Sequence, residues 1–236
     1  MPRKDSHILI VEDDLEVAGL LRYHLMLNNY KCHIVNTGEG ALAFLASHQI
    51  DLMLLDLLLI PGMSGLEVCE KIRAHSFQPP IIVISAVYVQ DQDIVKAFDL
   101  GADDYVIKPF NMDVLLRRIR VVLRRTDLLS EAAQEEIVTG QLRINFTQEL
   151  VQLHGEDVKL SPIEYALLEV LVKNRGRVVT KKMLLSKVWG DSDRAASEYL
   201  HVYINHLRRK IEPDPRHPRF IRTERSFGYR FTLEEQ

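Results

Sequence analysis

Four short apolar runs in this chain each stop at a polar residue suited to handling a phosphoryl group. Ile8–Val11 runs into Glu12, Asp13 and Asp14; Leu52–Leu55 into Asp56; Ile81–Ile84 into Ser85; and Tyr105–Ile107 into Lys108, Pro109 and Phe110. Continuous apolar runs of about four residues, separated by amphipathic segments of helical length, read as strands buried on both faces of a parallel sheet. Strands near 7–11, 31–35, 52–56, 81–85 and 104–107 alternate with helices near 14–28, 38–48, 64–75, 91–100 and 111–125. In the last helix Leu115, Ile119 and Val122 recur at helical spacing. The fold class expected for residues 1–125 is α/β, a doubly wound parallel sheet with helices on both sides. Sites in such sheets lie outside the carboxyl ends of the strands, so the acids, the hydroxyl and the lysine are expected in one crevice.

The second half follows another grammar. Residues 126–136 are polar and carry no continuing apolar stripe, which makes them a linker. Residues 137–236 then form the second domain. Leu142–Lys159 alternates apolar and polar residues, with Gly155, Glu156 and Asp157 as a turn, and predicts antiparallel strands. Ser161 caps a helix with Pro162 at its first position and Glu164 completing a capping box. A second helix starts at Thr180 and a third runs from about Ser197 to Ile211; Phe220–Phe231 predicts a hairpin turning at Arg225–Gly228. Three helices followed by a strand hairpin are the order of an α+β winged helix-turn-helix.

Charge follows the same division. Residues 1–136 hold 13 Lys+Arg against 20 Asp+Glu, whereas residues 137–236 hold 17 against 13, so an acidic half precedes a basic one and nucleic acid is a candidate partner for the second. No apolar stretch approaches the about 20 residues of a membrane span, and the N-terminus has no signal-peptide core. Cys32 and Cys69 lack metal-ligand spacing and read as reduced thiols of a cytoplasmic protein.

Crowded carboxylates repel one another, and burial adds to the cost of charging them. A divalent cation resolves this, and hard oxygen ligands with room left for water favour Mg²⁺. An ionised Asp56 then serves as a nucleophile toward phosphorus, with Lys108 neutralising charge on the transferring oxygens and Ser85 hydrogen-bonding one of them. An aspartate-nucleophile phosphatase would need a general acid two residues after the nucleophile; Leu58 stands there, so no enzyme of that kind is expected.

Val11–Asp14, Leu54–Asp56, Pro61–Gly65, Ser85–Ala86 and Gly101–Phe110 together make the first domain resemble the flavodoxin-like (βα)5 receiver domain of bacterial two-component response regulators. The resemblance implies that Asp56 is the phospho-acceptor of a sensor histidine kinase. It implies that Glu12, Asp13, Asp56 and the Leu58 carbonyl hold Mg²⁺, that Ser85 and Tyr105 form a switch pair, and that Lys108–Pro109 is cis. Two departures are present. Four residues, Leu57–Ile60, separate Asp56 from Pro61 where the family has three, and the loop after Ser85 is one residue longer. Bulky Leu58 and Val87 beside the site predict a long-lived aspartyl phosphate.

In the third helix of the second domain Leu200, Ile204, Leu207 and Ile211 share one face, leaving His201, Asn205, Arg208 and Arg209 elsewhere. Asn, His and Arg on a helix meet base edges and phosphates in the DNA major groove. Leu160–Leu168, Val188–Gly190, Val202–Ile211 and Gly228–Phe231 resemble the OmpR/PhoB effector domain. The resemblance implies base-reading places for His201, Asn205 and His206, backbone-contacting places for Tyr203, Arg208 and Arg209, a wing contact at Arg225, and RNA polymerase at the loop from Trp189 to about Ala196. Ser226 stands where the wing often has Gly. Tyr199–Tyr203 with Glu212–Arg216 is similar to the KdpE branch, which governs potassium uptake.

Receivers of this subfamily pair as homodimers through the fourth helix, fifth strand and fifth helix. By that resemblance Val95, Phe98 and Leu116 form an apolar patch, with Asp99–Arg120 and Asp104–Arg118 as rim pairs across a two-fold axis. Ile94 and Val114 stand where the family often has opposite charges, and they read either as exposed aliphatics favouring dimers in any state or as local packing. The function expected is a transcription factor controlled by phosphorylation that binds direct-repeat promoter DNA. The alternative is a constitutively dimeric regulator whose lengthened loops mark an atypical receiver used as a partner-binding module.

Overall fold

The computed structural model describes residues 6–74, 79–86, 91–124, 136–146, 148–190 and 194–233, the side chains of 124 and 194–198 excepted. It contains two compact units, Met1–Arg124 and Arg125–Gln236.

The first unit alternates β1 (His7–Val11), α1 (Leu15–Leu27), β2 (Lys31–Val35), α2 (Gly38–Leu45), β3 (Leu52–Leu55), α3 (Gly65–Arg73), β4 (Ile81–Ser85), α4 (Asp91–Asp99), β5 (Asp104–Ile107) and α5 (Met112–Arg124). All strand pairs are parallel and the order is β2-β1-β3-β4-β5, the doubly wound sheet expected. Side chains alternate across a strand. Ile8, Ile10, Leu52, Leu54, Ile82, Ile84 and Val106 accordingly share one cluster with Leu21 and Leu25 of α1 and Leu115, Ile119 and Val122 of α5. The intervening Leu9, Val11, Met53, Leu55 and Val83 are equally buried on the other face. Order β2-β1-β3 reverses at β1, so the ends of β1 and β3 flank the switch point where such sheets bind ligands.

Several helix starts are written locally. Asp14 caps α1 by accepting from the Glu16 and Val17 N–H groups, and Ser64 with Glu67 makes a full capping box on α3. Gly65 allows α3 to begin tight against the site: a Cβ there would lie 2.2 Å from the Asp56 carbonyl oxygen.

The second unit opens with an antiparallel sheet, β6 (Glu136–Thr139), β7 (Leu142–Asn145), β8 (Leu150–Leu153) and β9 (Glu156–Asp157). Glu136, read as linker, is the first residue of β6. Then come α6 (Pro162–Lys173), β10 (Val178–Thr180), α7 (Lys181–Val188), α8 (Arg194–Ile211), β11 (Ile221–Glu224) and β12 (Gly228–Phe231). The capping box of Ser161 and Glu164 and the Thr180 cap are present as expected. Strand β10 has no counterpart in the sequence reading. It pairs with β12 and turns the hairpin into the three-stranded sheet β10-β12-β11 of a winged helix.

Candidate functional site: an acidic crevice and an outward helix face

Glu12 follows β1 and Asp56 follows β3, so parallel pairing of Val11 with Leu55 sets the two acids side by side. Both are buried, Asp13 is half-buried, and one carboxylate oxygen from each lies within 4.8 Å of the others. Lys108, one residue past β5, reaches back to both: Nζ is 2.6 Å from Asp56 Oδ2 and 2.9 and 2.8 Å from the Glu12 oxygens. Ser85 is fully buried at the end of β4, where its carbonyl accepts the Lys108 N–H at 2.9 Å. Of the residues assigned from the strand ends, Glu12, Asp13, Asp56 and Lys108 thus lie together, with Ser85 joined to Lys108 through the backbone. The Lys108–Pro109 bond is cis, as expected, and Ile60–Pro61 is cis as well.

Carboxylates accept from the backbone of the lengthened loop after Asp56. Leu58 N–H donates to Asp56 Oδ1 at 3.0 Å and Ile60 N–H to Asp13 Oδ2 at 3.3 Å. Glu39 of α2 accepts from Met63 N–H at 3.0 Å and sits against Gly62, whose φ of 119° suits glycine. Leu58 and Ile60 remain exposed. Val87 lies outside the described residues.

Burial pushes the Glu12 carboxyl from 4.5 up to about 7; the Asp56 charge adds to the rise and Lys108 opposes it. Burial works against the Lys108 ammonium too, yet its bonds to Asp56 and Glu12 outweigh that and hold its pKa above the usual 10.5. Three hard-oxygen donors, one of them a carboxyl that burial pushes up to about 7, fit a magnesium-sized divalent ion. Asp14 is not part of this set, because its carboxylate is the α1 cap. The two thiols take no part: burial pushes Cys32 up to about 11 and Cys69 up to about 12, so both are unreactive at neutral pH.

Residues expected at a receiver interface divide by position. Asp99 and Arg120 are exposed and Val95 half-buried, but Phe98 is buried and Leu116 belongs to the core cluster. Arg118 and Asp104 differ most from expectation. They pair within the chain, Nη1 to Oδ1 at 2.6 Å, and both are buried, since an arginine on the inner side of α5 reaches the adjacent start of β5. Arg120 donates to Asn28 at 3.0 Å. Ile94 and Val114 are also inside, which settles the open alternative for local packing.

Among the described side chains of α8 the exposed ones are His201, Asn205 and Arg209, spaced four apart on one line. Three others lie elsewhere than expected. Tyr203 is buried with its ring 5.1 Å from that of Trp189, the C-cap of α7. His206 turns inward, with Nδ1 2.5 Å from Glu164 Oε1, and Lys210 reaches the other oxygen at 2.7 Å. Arg208 is buried and donates to the wing, from Nε and Nη2 to the Ile221 carbonyl and from Nη2 to Thr223 Oγ1, while Nη1 donates to Asn205 Oδ1 at 3.3 Å. Burial opposes ionisation of Glu164, but the His206 bond and the Lys210 charge outweigh it and keep its carboxyl below the usual range. The loop expected to meet RNA polymerase lies largely outside the described residues; Trp189 itself is buried. Arg225 is exposed at the hairpin tip and Ser226 has a φ of 68°, the conformation for which glycine is the usual choice.

Comparison with known proteins agrees with both halves. Residues 8–120 match the response regulator receiver domain and residues 155–231 match the C-terminal domain of transcriptional regulatory proteins. The transcriptional regulatory protein KdpE of Mycobacterium tuberculosis is 40% identical over 224 residues, covering 95% of this chain and 98% of its own. The KDP operon transcriptional regulatory protein KdpE of Escherichia coli is 37% identical, covering 97% and 100%. Among solved structures, the response regulator DrrB of Thermotoga maritima, an OmpR/PhoB homologue, aligns with a TM-score of 0.51 at 31% identity over 96% of this chain and 99% of its own. A parallel sheet with an acid–lysine crevice, joined to a winged helix with an outward polar face, is thus matched along almost its full length, and the chain belongs to the OmpR/PhoB family of transcriptional response regulators, with KdpE-like relatives.

Proposed function

We propose that Asp56 accepts a phosphoryl group from the phosphohistidine of a sensor histidine kinase, and that the aspartyl phosphate controls promoter binding by the second unit. The supporting observation is the 2.6 Å contact of Lys108 Nζ with Asp56 Oδ2 beside two further carboxylates. An Asp56 oxygen bonds to phosphorus as the phosphorus–nitrogen bond breaks and its electron pair returns to the kinase imidazole. Lys108 neutralises charge gathering on the transferring oxygens, and the Ser85 hydroxyl donates to one of them. Glu12, Asp13, Asp56 and the Leu58 carbonyl would hold Mg²⁺, which would supply the charge that lets three carboxylates ionise together. The kinase approaches over an apolar rim, Leu15, Leu58 and Ile60, which are 72, 45 and 64% exposed.

Ser85 and Tyr105 form the switch. Tyr105 is only 4% exposed, so switching is a repacking at the β4–β5 edge and not a swing from solvent. Receivers then pair through α4, β5 and α5, where Val95 is half-buried and Asp99 and Arg120 are exposed. Use of Asp104 and Arg118 across a two-fold axis requires their buried intrachain pair to open first, which opposes pairing in the resting state. With Ile94 and Val114 buried, the constitutive-dimer alternative loses the exposed aliphatics that favoured it. The dimer places His201, Asn205 and Arg209 against base edges and phosphates of direct-repeat half-sites about one helical turn apart, with RNA polymerase engaging the loop after α7.

Incubation with Mg²⁺ and acetyl phosphate, followed by intact mass and sizing, tests this. Wild type should gain about 80 Da and dimerise, and Asp56→Asn should do neither. An adduct that survives in Asp56→Asn, or a dimer indifferent to phosphorylation, refutes it.

A further inference from the structure

Phe227, at the tip of the β11–β12 hairpin, is 70% exposed. Arg225 and Ser226 before it are exposed, as are Arg222 and Thr223 on β11. A single exposed phenylalanine is ordinary; its mounting is what carries the argument. Phe227 N–H donates to the Glu224 carbonyl at 3.0 Å, closing the turn. Gly228 lies so close to β10 that a Cβ would stand 2.1 Å from the Val179 carbonyl oxygen. Arg208 ties β11 to α8 through the Ile221 carbonyl at 3.0 and 2.7 Å and Thr223 Oγ1 at 2.8 Å. The hairpin is therefore fixed in register with the helix that presents His201, Asn205 and Arg209, and it exposes an aromatic ring together with Arg222 and Arg225.

Exposed arginines and an apolar ring on one hairpin complement a polyanion with an apolar interior reachable through a narrow slot. We propose that Phe227 enters the minor groove of double-stranded DNA beside Arg225, packing its ring on deoxyribose and base edges while Arg225 meets phosphate or the groove floor. The proposal rests on the DNA-binding reading above. Phe227 then contributes affinity without charge, which salt does not screen, and favours A·T pairs, which lack the guanine amino group on the groove floor.

The full chain and its Phe227→Ala, Phe227→Trp, Arg225→Ala and Asn205→Ala variants are compared on a duplex that wild type selects from a random pool, across a range of salt. A second duplex carries 2,6-diaminopurine in place of adenine beside the half-site, adding an amino group to the minor groove alone. Phe227→Ala should bind about tenfold more weakly with an unchanged salt slope, and Phe227→Trp should retain binding. Arg225→Ala should lower the slope by about one. Diaminopurine should weaken wild type but not Phe227→Ala. Undiminished binding by Phe227→Ala overturns the proposal; so does a changed salt slope, or a defect confined to polymerase recruitment or receiver pairing. Loss in Asn205→Ala with none in Phe227→Ala sinks the wing contact alone, whereas failure of wild type to select any duplex sinks the DNA-binding reading and this proposal with it.

Discussion

Glu12 stores the unresolved charge of the crevice. Its folded-state pKa of about 7 lies above the ordinary 4.5, so the folded protein binds more protons than the unfolded chain between those values. The stability this provides is complete below pH 4.5 and is lost as pH rises through about 7. Without divalent ions, urea unfolding should therefore show the receiver weakening from pH 5 to 7.5, while Glu12→Gln stays flatter over the same range. A cation competes with that proton, so calorimetric titration should show Mg²⁺ binding strengthen as pH rises toward about 7, by at most about tenfold per pH unit for one displaced proton, and level off above it. Glu12, Asp13, Asp56, Ser85 and Lys108 were legible because a parallel strand that ends in a polar residue must deliver that residue to one edge of the sheet. Leu116, Phe98 and Asp104–Arg118 were not, because helical spacing does not say how wide the buried arc of α4 or α5 is. Arg118 shows the limit: an arginine reads as surface, yet a buried aspartate one strand away draws it inside.

Helix α8 shows the same limit from the other side. Leu200, Ile204, Leu207 and Ile211 mark its inner face correctly, but Tyr203 and Arg208 flank that stripe and are inside as well, leaving His201, Asn205 and Arg209 as the exposed line among the described side chains. Strand β10 is not legible in the sequence because three residues that end on the α7 cap, Thr180, carry no periodicity; its pairing with β12 makes it a strand. The capping box of α6 was plain, though its second use was hidden. Glu164 caps its own helix and anchors His206 and Lys210 of α8. Its carboxyl is held below 4.5, so its contribution is present above that pH and disappears as pH falls through the lower folded value. Glu164→Gln should cost the winged-helix unit about 1–3 kcal/mol at neutral pH, and the gap to wild type should close in acid. A calorimetric endotherm of the second unit that is unmoved at neutral pH would remove this role.

Taken whole, the chain joins an acidic sheet domain to a basic winged helix at about residue 125, and each unit has its own buried core. Two cores predict two cooperative transitions. Residues 1–124 and 136–236, expressed separately, should each melt cooperatively, and the first alone should acquire the adduct on Asp56. The chain contains one tryptophan, Trp189, buried against Tyr203 at the end of α7. Indole emission from the intact protein therefore reports the winged helix alone. In a denaturant titration it is silent on the receiver, so a fluorescence midpoint that differs from the far-ultraviolet dichroism midpoint separates the two stabilities without a cut or a label.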